Sequence, residues 1–282
     1  MIENFATSWT QAVPMPRGVT GRGRSLLRGA ALSAISIVPR LPASRFLRGL
    51  YCHYVFDDQK SEFERIIRGL LQIGSFVDTP TCVAMLEGRR QIDGPYFHLS
   101  FDDGFRNIFT NAVPILSALR VPAIVFVPSD IIGADWQTTR LFCLETARYA
   151  AVIEMMRWDD LRQMTSSGFE VGSHTKTHAR LSTISSDHGR LEDELAGSKQ
   201  DIERALGRPC PYIAWPFGKR ADVDEVSLRK IADVGYEACF GAFRGSLVPG
   251  KTDRYSIPRH QFEAQWPLRH IKYFAAGKME AA

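Results

Sequence analysis

The sequence has no run of roughly 20 apolar residues, so nothing in it reads as a bilayer-spanning helix. It has no internal repeat and no low-complexity tract, which excludes solenoid and collagen-like architectures. With 45% hydrophobic and 23% charged residues, a disordered chain is excluded as well. Cysteine is sparse: Cys52, Cys82, Cys143, Cys210 and Cys239 are scattered, odd in number and never spaced C-x-x-C. A disulfide scaffold and a cysteine-based zinc site are therefore not expected, and reduced buried thiols are. Acidic residues are nearly missing from residues 1–50, which hold seven arginines and only Glu3. The net charge of +4 thus belongs to this leader, and the remaining chain is slightly acidic. No nucleic-acid partner is expected for the body, whereas the leader suits peripheral contact with an anionic membrane.

Within the leader, "RSLLRGAALSAISIVPRLPASRF" joins arginines to an apolar stretch of about 11 residues, the length of a secretory core. It starts well inside the chain, and Arg40 and Arg45 follow at once, unlike a cleaved export signal. A cytoplasmic or membrane-peripheral location is favoured over secretion. Leu26, Leu27, Ala30, Leu32 and Ile35 form either a peripheral amphipathic helix or a first helix packed on the domain. Residues 1–48 read as a basic N-terminal extension, and 49–282 as the folded domain.

From there strand and helix patterns alternate. Strands are expected over 50–56, 95–101, 122–129, 169–174 and 211–218, in "YEACFG", and last in "YSIPRHQF". Helices are expected over 61–74, 107–119, 158–168, 188–207 and 223–235, and finally in "PLRHIKYFAAG". The first of these repeats Phe63, Ile66, Ile67, Leu70 and Leu71 at helical spacing; the second holds Pro114 in an awkward interior position. Such alternation argues for a mostly parallel α/β architecture, and about seven units argue for a barrel rather than an open sheet.

In a barrel of this kind functional residues gather where strands end at their carboxyl side. Four expected strand ends bear polar or turn-forming residues: Asp102-Asp103-Gly104, His174 through His178, Pro216-Phe217-Gly218 and Arg259-His260. Carboxylate oxygen and imidazole nitrogen suit a zinc-like divalent cation, and three protein ligands with an open position mark a catalytic site. His174 and His178, four apart, converge on one ion if the turn after the strand is helical. One of the two aspartates completes the set, and the other is free to take a proton from water. A cation beside them explains why two adjacent carboxylates are tolerated. Each motif alone has an ordinary reading, as a turn or a surface pair; their order and shared position make the case.

"FDDG" (101–104), "SHTKTHARLS" (173–182) and "PYIAWPFG" (211–218), with "YCHYVFDD…FERIIRGL" ahead of them, resemble the polysaccharide deacetylase family, the NodB-homology domain of carbohydrate esterase family 4. The likeness runs from about residue 50 to 262. It implies a distorted (β/α)7 TIM-like barrel, here with an appended N-terminal segment, and metal-dependent hydrolysis of the acetamide of an N-acetylated sugar in a glycan or glycolipid. By the same resemblance Asp102 is the catalytic base, Asp103, His174 and His178 are the metal ligands, zinc is the expected ion, and Thr175 steadies the loop.

Two departures stand out. Ala214 and Trp215 occupy the stretch where many members place an arginine against the catalytic aspartate, leaving Arg259 as a candidate for that charge or as a surface residue. The family's late leucine–histidine motif is not plain, so His260 is the first candidate for the general acid. Trp215, Pro216, Phe217 and His53 are substrate-side candidates, Trp136 offers a further flat face, His98 has inward parity, and His270 reads as structural. Two rival readings keep part of this picture: a hydrolase of another non-peptide C–N amide bond, and a non-catalytic glycan-binding relative.

Overall fold

The computed structural model describes residues 4–12 and 45–275. The expected helix around Leu26–Ile35 lies outside the described residues. A one-turn helix, Trp9–Ala12 (α1), comes first. Then follow Phe46–Cys52 (β1), Lys60–Leu71 (α2), Ser75–Val77 (β2), Thr79–Leu86 (α3), Pro95–Phe101 (β3), Val113–Leu119 (α4) and Ile124–Val127 (β4). Trp136–Leu141 (α5), Trp158–Ser166 (α6), Glu170–Ser173 (β5), His188–Glu192 (α7), Ser198–Leu206 (α8) and Tyr212–Ala214 (β6) come next. Glu225–Asp233 (α9), Ala238–Phe240 (β7), His260–Gln261 (β8) and Leu268–Ala275 (α10) end the described chain. Among the described residues, no helix is long and apolar enough to cross a membrane.

All strand pairings are parallel, in the order β7-β6-β5-β4-β3-β1-β8, with β2 beside β3 off this path. The segment 257–262 closes the wall into a distorted barrel of seven strands. Ile257 bridges to Phe240 of β7, and β8 pairs with Leu50 and Tyr51 of β1. The Phe262 amide then donates to the Tyr51 carbonyl at 2.9 Å.

Alternation along β3 divides the two cores. Phe97, Leu99 and Phe101 turn outward and pack with Phe63, Ile66, Ile67 and Leu70, the apolar stripe of α2. The opposite parity, Tyr96, His98, Ser100 and Asp102, turns into the barrel. There Ile124, Phe126, Tyr212, Ala214, Ala238 and Phe240 form an inner apolar plug. His98 is buried in that plug: its Nε2 lies 3.0 Å from Thr79 Oγ1, which donates on to Glu170, and its ring stacks on Phe240. The barrel is thus apolar below and becomes polar toward the carboxyl ends of its strands.

Two expectations about boundaries change. Phe46, Leu47 and Arg48, assigned above to the extension, are the first three residues of β1 and all buried. Residues 4–12 also pack on the domain: Ala12, Trp9 and Phe5 join a cluster with Phe105, Phe142 and Ile153, and the Ala6 amide donates to the Val152 carbonyl. Pro114 is accommodated because the turn before it, 108–112, is a wide π-turn and the proline then begins a fresh α-helical stretch, where its missing N–H costs little.

Phe97 meets Phe46 edge-on at 5.4 Å and Phe76 at a tilt at 5.5 Å, and it is fully buried. Phe97→Ala is expected to lower unfolding free energy by about 3–5 kcal/mol, read as a shifted urea midpoint; a loss under about 1 kcal/mol would contradict this packing.

Candidate metal centre and active site

The chain turns sharply where β3, β5 and β6 end. Asp103, Thr175, His178 and Phe217 all have left-handed backbone, with φ between 63° and 70°, and Gly104 and Gly218 follow suit. A non-glycine residue there costs on the order of 1 kcal/mol and persists only where its surroundings over-determine it. At Gly218 the constraint is severe: a Cβ would meet Ala242 at 2.0 Å. These turns aim side chains that would otherwise follow strand alternation into one cleft.

Asp103, His174 and His178 converge there, all buried, with one ligand atom from each within 4.8 Å of the others. Asp103 Oδ1 lies 3.5 Å from His174 Nε2 and 3.3 Å from His178 Nε2. His174 Nδ1 sits 2.7 Å from the Ala214 carbonyl, an obligate acceptor, so that nitrogen bears the proton. Burial holds the His174 imidazole down at about 4, so the ring is neutral near pH 7. Its Nε2 is therefore a bare lone pair facing a carboxylate oxygen. Two acceptors do not hold each other; a cation between them does, and an imidazole oriented by a carbonyl at its other nitrogen is the usual arrangement of a metal ligand. The donor set, two nitrogens and one oxygen, fits a divalent ion of the zinc type.

Residues that carry no motif of their own complete this frame. The Tyr149 hydroxyl donates to Asp103 Oδ2 at 3.0 Å, fixing the carboxylate that reaches the histidines. Glu194, buried, accepts the backbone N–H groups of Lys176 and Thr177 at 3.0 and 2.9 Å and so braces the loop between His174 and His178. It sits in a π-turn, 193–197, that joins α7 to α8. The altered phase lets the neighbouring Asp193 meet the Lys176 ammonium at 2.8 Å while Glu194 meets the loop backbone. Thr175 is tied in by its own amide to Ser173 Oγ and by its carbonyl to Ser198 Oγ.

Asp102 has a different partner. Arg259, wholly buried, donates from both terminal nitrogens to the two Asp102 oxygens at 2.7 and 2.9 Å. Its remaining donors reach the Gly241 carbonyl and Ser100 Oγ, each at 2.9 Å, and its plane lies 4.7 Å from the Tyr51 ring centre. Burial acts to raise the Asp102 carboxyl, but the Arg259 guanidinium outweighs it and the group is held below the usual carboxylate range. Asp103 is likewise held low: burial opposes ionisation, and its contacts with His178 prevail.

The structure places the other sequence-derived candidates less evenly. His53 is half-buried and lines the cleft with Tyr51, Tyr149 and Gln261. Phe217 stands at the mouth, 39% exposed, its ring against His178 and under the Arg180 guanidinium. Pro216 is buried in the turn. Trp215 is among the residues lining the cleft but is fully buried, stacked on Phe243, with Nε1 donating to the Lys219 carbonyl. Trp136 packs edge-on against Phe5. His260 is not among the cleft residues. It is buried and in register with Leu50, a residue of the outer core, while Gln261, one position on, faces the cleft with Tyr51. Strand parity turns Arg259 inward and His260 away.

The mouth of a parallel barrel, at the carboxyl ends of its strands, thus brings together an Asp-His-His set and an Arg-clamped aspartate. Residues 89–239 match the polysaccharide deacetylase family, and the chain belongs to that family. It is 33% identical over 136 residues to a chitooligosaccharide deacetylase of Sinorhizobium fredii, covering 45% of this chain and 49% of that protein. The chain spans about half the length of the curated relatives it matches. Among solved structures, IcaB from Ammonifex degensii superposes with a TM-score of 0.67 at 21% identity, covering 82% of this chain and 97% of that one. A de-N-acetylase from Aggregatibacter actinomycetemcomitans gives 0.64 at 18%, covering 81% and 99%. These likenesses carry the barrel fold.

Burial sets a pH dependence. The His98 ring is held at about 3 and the His174 ring at about 4, both below the ordinary 6.5. Between those values and 6.5 the unfolded chain binds more protons than the folded one, so stability is full above 6.5 and falls as pH drops. The unfolding free energy of metal-free protein, read from urea melts, is expected to fall steadily from pH 7 to pH 4.5, by on the order of 2 kcal/mol or more. A flat profile over that window would contradict neutral, buried rings.

Proposed function

We propose that the protein is a metal-dependent hydrolase that removes the acetyl group from an N-acetylated sugar in a glycan or glycolipid. The observation that carries this reading is the pairing, in one cleft, of a three-ligand cation site with an ionised aspartate that the ligand set does not use. Asp103, His174 and His178 would hold the ion. When bound, a divalent cation supplies Lewis-acid chemistry, polarising an amide carbonyl and acidifying water.

Asp102 is the proton acceptor. Arg259 occupies one lone pair on each of its oxygens, which fixes the carboxylate plane and leaves a second lone pair free to meet a water. Because the arginine also weakens its basicity, Asp102 is competent only toward water already made acidic. As water's oxygen bonds to the carbonyl carbon, its proton passes to Asp102. When the C–N bond breaks, the nitrogen needs a proton and acetate departs. His53, the one histidine lining the cleft besides the two ligands, is placed to give it. The cleft holds about 200 Å³, room for an acetamido group with part of its ring. Support for a sugar substrate comes from family membership and from the named activity of the Sinorhizobium relative. Zinc is our choice of ion on the nitrogen-rich ligand set.

Asp102→Asn is expected to keep metal content while lowering acetate release from N-acetylglucosamine oligomers at least about 100-fold, and a chelator is expected to abolish release from the wild type. Full activity in the asparagine variant, or in chelator, would sink this reading.

A further inference from the structure

A second depression opens from the cleft. It holds about 740 Å³ and shares Ala147, His178 and Phe217 with the catalytic cleft, so the two are continuous. Three arginines line it, Arg148, Arg180 and Arg190, against one acid, Glu145. Arg180 is already engaged, contacting Asp222 and lying 4.1 Å over the Phe217 ring. Arg148 and Arg190 are exposed, and among the described residues neither is paired with a carboxylate.

Their placement is close to the chemistry. Arg148 is followed by Tyr149, the residue that fixes Asp103; the arginine lines the groove while the tyrosine lines the cleft. Arg148 also adopts left-handed backbone at φ 61°, a conformation a bulky residue takes only under constraint. Arg190 stands in α7, the element that runs through the π-turn into Glu194 and its braced loop. Two guanidinium forks lining one depression, neither paired with a carboxylate among the described residues, raise the local concentration of anions and match carboxylate or phosphate geometry.

We propose that this groove receives the part of the substrate next to the acetylated sugar, and that this part bears a carboxylate or phosphate held by Arg148 and Arg190. The inference rests on the deacetylase reading above and narrows its substrate class from neutral chitin-like chains to anionic glycans.

The test uses the metal-loaded protein and three N-acetylated oligosaccharides of equal length: neutral, uronic-acid-bearing and phosphate-bearing. Binding is followed by calorimetry, and acetate release is followed in parallel. At least one anionic oligomer is expected to bind roughly tenfold more tightly than the neutral one. That gap should shrink in about 1 M salt, where the Debye length is about 3 Å. It should also fall below about twofold in the Arg148→Ala/Arg190→Ala double variant. Preference for the uronate points to an acidic polysaccharide, and preference for the phosphate to a phosphate-linked glycan; either supports the proposal. Equal binding of all three, or a gap that survives in the double variant, overturns it. Anionic preference without acetate release from any oligomer would instead overturn the deacetylase reading and leave the charge selectivity standing.

Discussion

A buried imidazole lone pair on His174 that faces the buried Asp103 carboxylate is the constraint around which this protein is organised. His174 Nε2 has no proton to offer Asp103 Oδ1, 3.5 Å away, once the Ala214 carbonyl fixes the His174 tautomer, and His178 Nε2 lies 3.3 Å from the same oxygen. Left alone, such a pair is repulsive in a low-dielectric interior. It is nonetheless supported from every side. Tyr149 holds the carboxylate, Glu194 the loop between the histidines, and Ser173 and Ser198 the residue at its centre. Left-handed backbone at Asp103, Thr175 and His178 adds local strain to the electrostatic one. A site that stores unfavourable energy in the absence of its ion binds that ion without first rearranging, the structural meaning of preorganisation.

The adjacent aspartates, chemically identical, are separated by their partners. Asp102 follows the inward parity of β3 and meets a buried guanidinium; Asp103 breaks that parity through its positive φ and meets imidazoles. One is thereby held as a base and the other as a ligand. Arg259 comes from the segment that closes the barrel, 157 residues beyond Asp102 in sequence. The proton-accepting half of the site is therefore assembled only when the wall is complete, whereas the three ligands themselves follow the ends of β3 and β5. A lone buried carboxylate would cost several kcal/mol, so closure of the barrel and ionisation of Asp102 are linked.

Much of this was legible in the sequence because it depends on local periodicity. The bounds of β3 coincide with its alternating pattern, α2 with its apolar stripe, and the turn residues at strand ends mark the mouth. What escaped was non-local or short. β2 and α3 occupy a stretch of only twelve residues whose apolar positions, such as Cys82, Met85 and Leu86, are uniform rather than periodic. The segment 136–149, which delivers Tyr149 and Arg148, follows no strand–helix rhythm. The start of β1 was hidden because Arg48 looks like part of a basic leader, yet it is buried within the strand. His260 and Arg259 are adjacent, and composition cannot say which faces the cleft; register with β1 does. Trp215 reads as a sugar platform by residue type alone, and only its packing against Phe243 shows that it lies buried in the cleft wall.

The most direct test of the central claim is the X-ray absorption spectrum of the protein loaded with one equivalent of zinc. Convergence of Asp103, His174 and His178 predicts the outer-shell scattering of two imidazoles together with a first shell of nitrogen and oxygen. A spectrum lacking imidazole scattering, or a sulfur shell from the buried cysteines, would contradict it.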